Sequence, residues 1–234
     1  CCARLVAQTH TVESLTIADG LSQGMIYGIE QTDDGFMWFA TKDGLNRYDG
    51  YNFEVFTNDP YNPFSIAGND ICNLFKDSRG NLWLSILGKG LDMLEKNSGR
   101  FLHFKSLAVK RNFSEPFSIV ETQDGAMWVG TPDGLFRLRW NKPGYVNTDN
   151  PDLGASMTVE WVSRGKKPDR KQFINLSVNN DSTLTTYIRS DGVYKFTPED
   201  AGLMSILPVP DDRMFVGGDI GRLWVVDNNR LYAI

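Results

Sequence analysis

The run Asp33-Asp34-Gly35-Phe36-Met37-Trp38-Phe39-Ala40-Thr41-Lys42-Asp43-Gly44-Leu45 decides how the chain folds. Gly35 supplies the positive φ of a tight hairpin turn, Phe36 to Thr41 returns as an aromatic strand, and Asp43-Gly44 turns the chain again. The same order recurs as Asp77-Ser78-Arg79-Gly80-Asn81-Leu82-Trp83-Leu84 running on to Gly90-Leu91. It recurs once more as Asp124-Gly125-Ala126-Met127-Trp128-Val129-Gly130-Thr131-Pro132-Asp133-Gly134-Leu135. Trp38, Trp83 and Trp128 are spaced by 45 residues, and a fixed period of that size means one supersecondary unit per repeat.

Each unit has the turn chemistry of a four-stranded antiparallel meander. In the first, Met25 to Thr32 reads as one strand, Phe36 to Thr41 as the next, Leu45 to Tyr48 as a third and Phe53 to Thr57 as a fourth. Asn58-Asp59-Pro60 ends it, because Pro cannot donate to a strand ladder. Phe36-Met37-Trp38-Phe39 is apolar at consecutive positions, so both faces of the sheet must be covered. Sheets stacked face to face around an axis provide that cover. The expected fold is therefore all-β: an incomplete β-propeller of four-stranded antiparallel blades, five blades of about seven.

The blades are expected over residues 22–57, 68–105, 114–163, 172–200 and 203–234. The last two repeats are weaker. Phe173 to Phe196 keeps the second turn at Gly192 but has no Trp, whereas Trp224, 96 residues after Trp128, restores the aromatic at close to two periods. Trp38, Trp83, Trp128 and Trp224, with Gly44, Gly90, Gly134 and Gly192, are the expected repeat anchors. The interval between Gly134 and Gly192 widens to 58 residues, taken up by loops at Trp140 to Ser156 and Gly165 to Lys171. In repeat architectures such insertions map to the rims, where binding surfaces lie.

The composition excludes several functions. A formal net charge of -5 over 234 residues, with no large basic segment, argues against nucleic-acid binding. Three cysteines cannot make a disulfide framework, and Cys72 stands alone, read as a filler of a small buried place in the second blade. Leu5-Val6-Ala7 before Gln8 resembles the small-residue end of a secretory signal peptide, so residues 1–12 are read as a leader remnant; a lipidated Cys or an arbitrary start are the alternatives. No run of apolar residues is long enough to span a membrane.

Catalytic and metal patterns are weak. Gly20-Leu21-Ser22-Gln23-Gly24 spells the nucleophile elbow of serine hydrolases, but a strand follows it where a helix is needed, and the two histidines, His10 and His103, are poorly placed as partners. Neither the cysteines nor the Asp-rich turns have metal-ligand spacing, and no cofactor is expected. The candidate ligand contacts lie on loops: Tyr61, Asn62 and Phe64, where aromatics alternate with an amide, and Lys166 and Lys167 in a basic run.

The string from Asp19-Gly20-Leu21-Ser22-Gln23-Gly24 through Gly35-Phe36-Met37-Trp38-Phe39-Ala40-Thr41-Lys42-Asp43-Gly44-Leu45-Asn46-Arg47-Tyr48-Asp49-Gly50 closely resembles the opening of the two-component regulator propeller family. The resemblance is strong over residues 13 to 140 and weaker beyond. It implies the periplasmic or extracytoplasmic sensor region of a membrane-anchored hybrid histidine kinase, tuned to a small molecule such as an oligosaccharide. Immunoglobulin-like, membrane and kinase parts would follow in the same chain, with a possible homodimer, and this segment would not itself be an enzyme. A protein-binding scaffold and the sensor of a diguanylate cyclase are the alternatives. Two departures stand out: Leu84-Ser85-Ile86-Leu87 where a Gly-Thr pair is usual, and the missing aromatic of the fourth repeat.

Overall fold

The computed structural model describes residues 13–104, 118–131, 134–142, 145–162, 173–179, 182–188, 192–199, 202, 204–208, 215–219, 222–227 and 230–233. Each sheet is a meander in chain order. The first holds β1 (Ile26–Gln31), β2 (Met37–Thr41), β3 (Gly44–Tyr48) and β4 (Phe53–Phe56), and the second β5 (Ile71–Lys76), β6 (Leu82–Ile86), β7 (Gly90–Leu94) and β8 (Phe101–Phe104). The third holds β9 (Ser118–Glu121), β10 (Met127–Thr131), β11 (Gly134–Trp140) and β12 (Met157–Trp161). The fourth is β13 (Phe173–Val178), β14 (Leu184–Ile188), β15 (Gly192–Phe196) and β16 (Met204–Pro208). A three-stranded fifth sheet holds β17 (Phe215–Asp219), β18 (Arg222–Asp227) and β19 (Arg230–Ala233). Among the described residues the strands within each sheet pair antiparallel, and the opening strands β1 and β5, β9 and β13, and β13 and β17 lie side by side. The architecture is an incomplete β-propeller.

One seam differs from the expected division. Met204–Pro208 pairs with β15, so it closes the fourth sheet rather than opening a fifth blade at residue 203. The spacer Thr197 to Gly202 looked like an inter-blade link because Pro198, Glu199 and Asp200 read as a breaker. The strands on either side of it, β15 and β16, belong to one sheet.

The three first tryptophans share one position. Trp38, Trp83 and Trp128 pair across to Arg47, Met93 and Arg137 on the third strand, each three residues before the end of the second strand. Each is buried in the layer between its own sheet and the next. Trp38 packs with Leu74, Leu82, Leu94 and Phe101, Trp83 with Phe136 and Met157, and Trp128 with Leu176, Leu184 and Phe196. A stacked interior made of such layers buries aromatic area against the neighbouring sheet as well as within its own.

Each indole also bonds back to the turn that precedes its strand. Trp38 Nε1 donates to Thr32 Oγ1 at 3.0 Å, Trp83 Nε1 to Asp77 Oδ2 at 2.9 Å and Trp128 Nε1 to Thr122 Oγ1 at 3.3 Å. In every case the acceptor stands six residues earlier, at the last paired position before the turn. The fourth sheet keeps this link with its polarity reversed. Thr185 takes the tryptophan's place, and Asn179, six residues earlier, donates from Nδ2 to Thr185 Oγ1 at 2.8 Å. Its turn also survives: Ser182 N donates to Asn179 O at 3.0 Å, as Gly35, Gly80 and Gly125 donate to Thr32, Asp77 and Thr122. Ser182 adopts φ 62° where the other three turns have glycine. The other anchors follow the same register. Gly44, Gly90, Gly134 and Gly192 open their third strands, and Trp224 stands opposite Gly217 and Ala233. At Gly44 a Cβ would come within 2.6 Å of Phe56 O with φ at +114°, so no other residue fits.

The outer face of the first sheet is open. Ile26 and Ile29 are exposed, while Ile71 and Leu74, one period on, are buried. That is the face a further blade covers in a closed ring.

Two substitutions test this account by chemical denaturation. Ser182→Gly relieves a left-handed residue and is expected to stabilise the chain by about 0.5–1 kcal/mol. Asp77→Ala strips acceptors from the Trp83 indole, the Asn81 side chain and the backbone N–H groups of Arg79 and Asn81. It is expected to cost about 3 kcal/mol.

Candidate ligand-facing site

Tyr61, Asn62 and Phe64 lie on the link between β4 and β5, which runs along the outer edge of β8. The link is built from side chains that mimic backbone turns. Asp59 Oδ1 accepts from Tyr61 N at 2.9 Å, Asn62 Oδ1 from Phe64 N at 3.0 Å, and Ser65 Oγ donates to the carbonyls of Asp59 and Asn62. The carboxamide oxygen of Asn62 is thus spent on the loop itself. Phe64 is half-buried against the second and third sheets with the Arg100 guanidinium 4.6 Å above its ring, whereas Tyr61, 96% exposed, and Asn62 face solvent. The sequence-predicted trio shares this one loop. Lys166 and Lys167 lie outside the described residues.

Sequence reasoning missed Arg100 and weighed His103 only as a poorly placed partner for Ser22, yet these two organise the edge. The free side of β8 is taken by two loops: Phe101 N donates to Phe64 O at 3.0 Å and His103 N to Pro151 O at 2.6 Å. Both His103 ring nitrogens face acceptors, Nδ1 at 2.9 Å from the buried Asp92 carboxylate and Nε2 at 3.0 Å from Pro63 O. A neutral ring can donate to one of these, and a protonated ring to both. Asp92 in turn accepts from Ala67 N at 2.7 Å. Arg100 adds a bond to Thr148 O at 2.8 Å and an ion pair with Asp149 at 3.3 Å. The Trp140 to Ser156 insertion is therefore docked, through a short 3-10 turn at Leu153–Ala155, onto the second sheet.

A cleft of about 190 Å³ opens between the first and second sheets, lined by Trp38, Arg47, Glu54, Phe56, Glu95 and Lys96 among others. Arg47 stacks over the Phe36 and Trp38 rings, 4.5 and 5.7 Å from their centroids, and bonds to Glu54 across β3 and β4. The third sheet repeats this triplet as Trp128, Arg137 and Glu160. Burial raises the Glu95 carboxyl, but bonds from Ser98 and Asn97 outweigh it and hold the group below its usual range. Asp124 is lowered on balance in the same way, with the Thr122 hydroxyl, Ala126 N–H and Arg139 outweighing burial. Burial raises Glu30, partly offset by Lys76.

Residues 20–43, which span the lead-in turn and the hairpin of β1 and β2, match the two component regulator propeller family. Over 55 residues, 24% of its length, it is 44% identical to Histidine kinase P4 of Formosa agariphila, a stretch that makes up 4% of that protein. The extracellular domain of a B. thetaiotaomicron protein described as a hybrid two component system superposes at a TM-score of 0.72 and 19% identity, over 94% of this chain and 30% of that one. A streptogramin B lyase superposes at 0.64 and 18% identity, over 92% of this chain and 67% of the lyase. At such identities the likeness is one of fold, and a fold common to a sensor domain and a lyase assigns no activity.

In this propeller the hydrolase-like Ser22 is a strut. Its hydroxyl lies 2.9 Å from Thr41 Oγ1 and accepts from Asn46 Nδ2 at 2.8 Å, while its N–H donates to Asn46 Oδ1. That ties the lead-in to the first blade, and His10 lies outside the described residues. Cys72 is half-buried rather than enclosed, with Sγ 3.4 Å from Ser85 O. Among the described residues no group of three His, Cys, Asp or Glu side chains could hold a metal ion, and no helix is long and apolar enough to cross a membrane. The rim geometry is tested by thermal unfolding and amide exchange. His103→Ala is expected to cost about 2 kcal/mol and to speed exchange in residues 59–66 and 145–152, whereas Tyr61→Ala stays within about 0.5 kcal/mol of wild type.

Proposed function

We propose that the chain is part of an extracytoplasmic sensor domain of a two-component signalling protein, binding a small molecule and passing its occupancy to output domains elsewhere in the protein. The observation that carries this reading is the regulator propeller repeat at residues 20–43, set in a propeller that superposes over most of its length on an extracellular domain of a hybrid two component system. The identity to a histidine kinase over 55 residues supports the same class of output. A glycan fragment is the ligand class favoured, because the candidate surfaces pair aromatic rings with amides, carboxylates and guanidinium groups, the mixture that polyhydroxylated ligands require. Signalling then needs the ligand to bind one conformation of the sensor better than another, since equal affinity for both shifts nothing.

The test couples binding to output. Calorimetric titration of the intact protein against neutral and acidic glycan fragments is expected to give saturable heat with at least one of them, and the same fragment is expected to change the rate of autophosphorylation. Capture of a protein partner with no small-molecule response would replace this reading with a scaffold.

A further inference from the structure

Two of the inter-sheet layers contain the same cross-strand triplet, but its arginine finds different partners in each. Between the third and fourth sheets, Arg137 pairs with Glu160, stacks 5.4 Å from the Trp128 ring centroid, and sends Nη1 across the layer to Pro198 O at 2.6 Å. Between the first and second sheets, Arg47 pairs with Glu54 and stacks on Trp38, but its remaining N–H groups reach no protein oxygen among the described residues. By register Lys96 stands where Pro198 stands, since Leu94 and Phe196 pair with Leu82 and Leu184 at the start of their second strands. Arg47 and Lys96 instead line the cleft of about 190 Å³ together. The side chain of Arg47 is 36% exposed and that of Arg137 13%. The protein thus displays at Pro198 the group such an arginine takes up, an uncharged oxygen acceptor, and leaves its counterpart without one.

We infer that the cleft between the first two sheets is a binding pocket for a single neutral, hydroxyl-rich ring, that is, one monosaccharide unit. Trp38, Phe56, Leu82 and Leu94 supply apolar wall for the C–H face of such a ring. Arg47 and Lys96 supply donors, and Asp34, Glu54 and Glu95 supply acceptors, so hydroxyls that both donate and accept can be satisfied. Three carboxylates against two cations leave a surplus negative charge at the lining, which disfavours an acidic sugar. The volume lies below the roughly 300–1,000 Å³ of pockets that enclose drug-sized ligands, so it takes one ring and leaves the rest of a chain outside. The inference rests on the small-molecule sensing reading and assigns a site to it.

The test is a fluorine NMR titration of the intact protein labelled with 5-fluorotryptophan, with the Trp38 resonance assigned from Trp38→Phe. The probes are D-glucose, D-galactose, D-mannose and D-glucuronate. At least one neutral sugar is expected to move the Trp38 resonance saturably, with glucuronate at least about tenfold weaker. Glu54→Tyr, which closes the mouth from an exposed strand position, is expected to abolish the shift, and Glu160→Tyr at the equivalent place in the third sheet to preserve it. Asp34→Tyr serves as a second closing variant should the first fail to fold. A Trp38 resonance silent to all three neutral sugars, a shift that survives closure, or tighter binding of glucuronate overturns the assignment. If other tryptophan resonances move while Trp38 does not, the sensing reading stands and only this site falls; if none moves, the site falls and sensing turns on non-sugar ligands.

Discussion

The hydrogen bond from each tryptophan indole to the side chain six residues before it joins two requirements that would otherwise compete. A bulky aromatic is needed in the layer between sheets, because opposing faces of adjacent blades must fill each other's gaps. Burying an indole also buries its N–H, which must find an acceptor. Thr32, Asp77 and Thr122 meet that need from the last residue before the turn, so the group that satisfies the core also holds the turn that aims the strand into it. Asp77 does most, since its Oδ1 also accepts from the backbone N–H groups of Arg79 and Asn81. Packing between blades and hairpin geometry within a blade are therefore one constraint.

That coupling explains what could be read from the residues alone. Gly, Trp and Gly at a 45-residue period expose the turns and the second strand, and these are enough to fix sheet order and blade stacking for the first three repeats. The fourth repeat was faint because the link is conserved in geometry and not in residue type. Asn179 and Thr185 exchange donor and acceptor, and Ser182 accepts a left-handed backbone in place of glycine. A pattern of residue identities cannot register an inverted hydrogen bond. The misplaced seam at residue 203 has a related origin, since a Pro-containing turn inside a blade and one between blades draw on the same residues.

The rim was less legible still. Tyr61, Asn62 and Phe64 were singled out by composition, but what a loop side chain can offer a ligand depends on what its own backbone has already claimed. His103 and Arg100 gave no motif because their partners, Asp92, Pro63, Phe64, Pro151 and Thr148, come from segments up to 48 positions away and are mostly backbone carbonyls. Their common effect is to cover the outer edge of β8, whose unpaired groups would otherwise template another strand. The insertion after β11 is thus a structural cover as well as a surface.

Repetition also makes differences between blades informative. Arg47 and Arg137 occupy equivalent places, with the same aromatic beneath and the same glutamate beside, so sequence and local propensity are held nearly constant between them. What differs is the neighbour. A backbone carbonyl at Pro198 fills one layer, while Lys96 turns toward Asp33, 3.5 Å away, and leaves the other open. In a stacked architecture the residues of one blade set which groups are presented, and the turn of the next decides whether they meet protein or solvent. Binding capacity can then be gained or lost at a single inter-blade layer by altering a turn, with the sheets and their shared hydrogen bonds untouched.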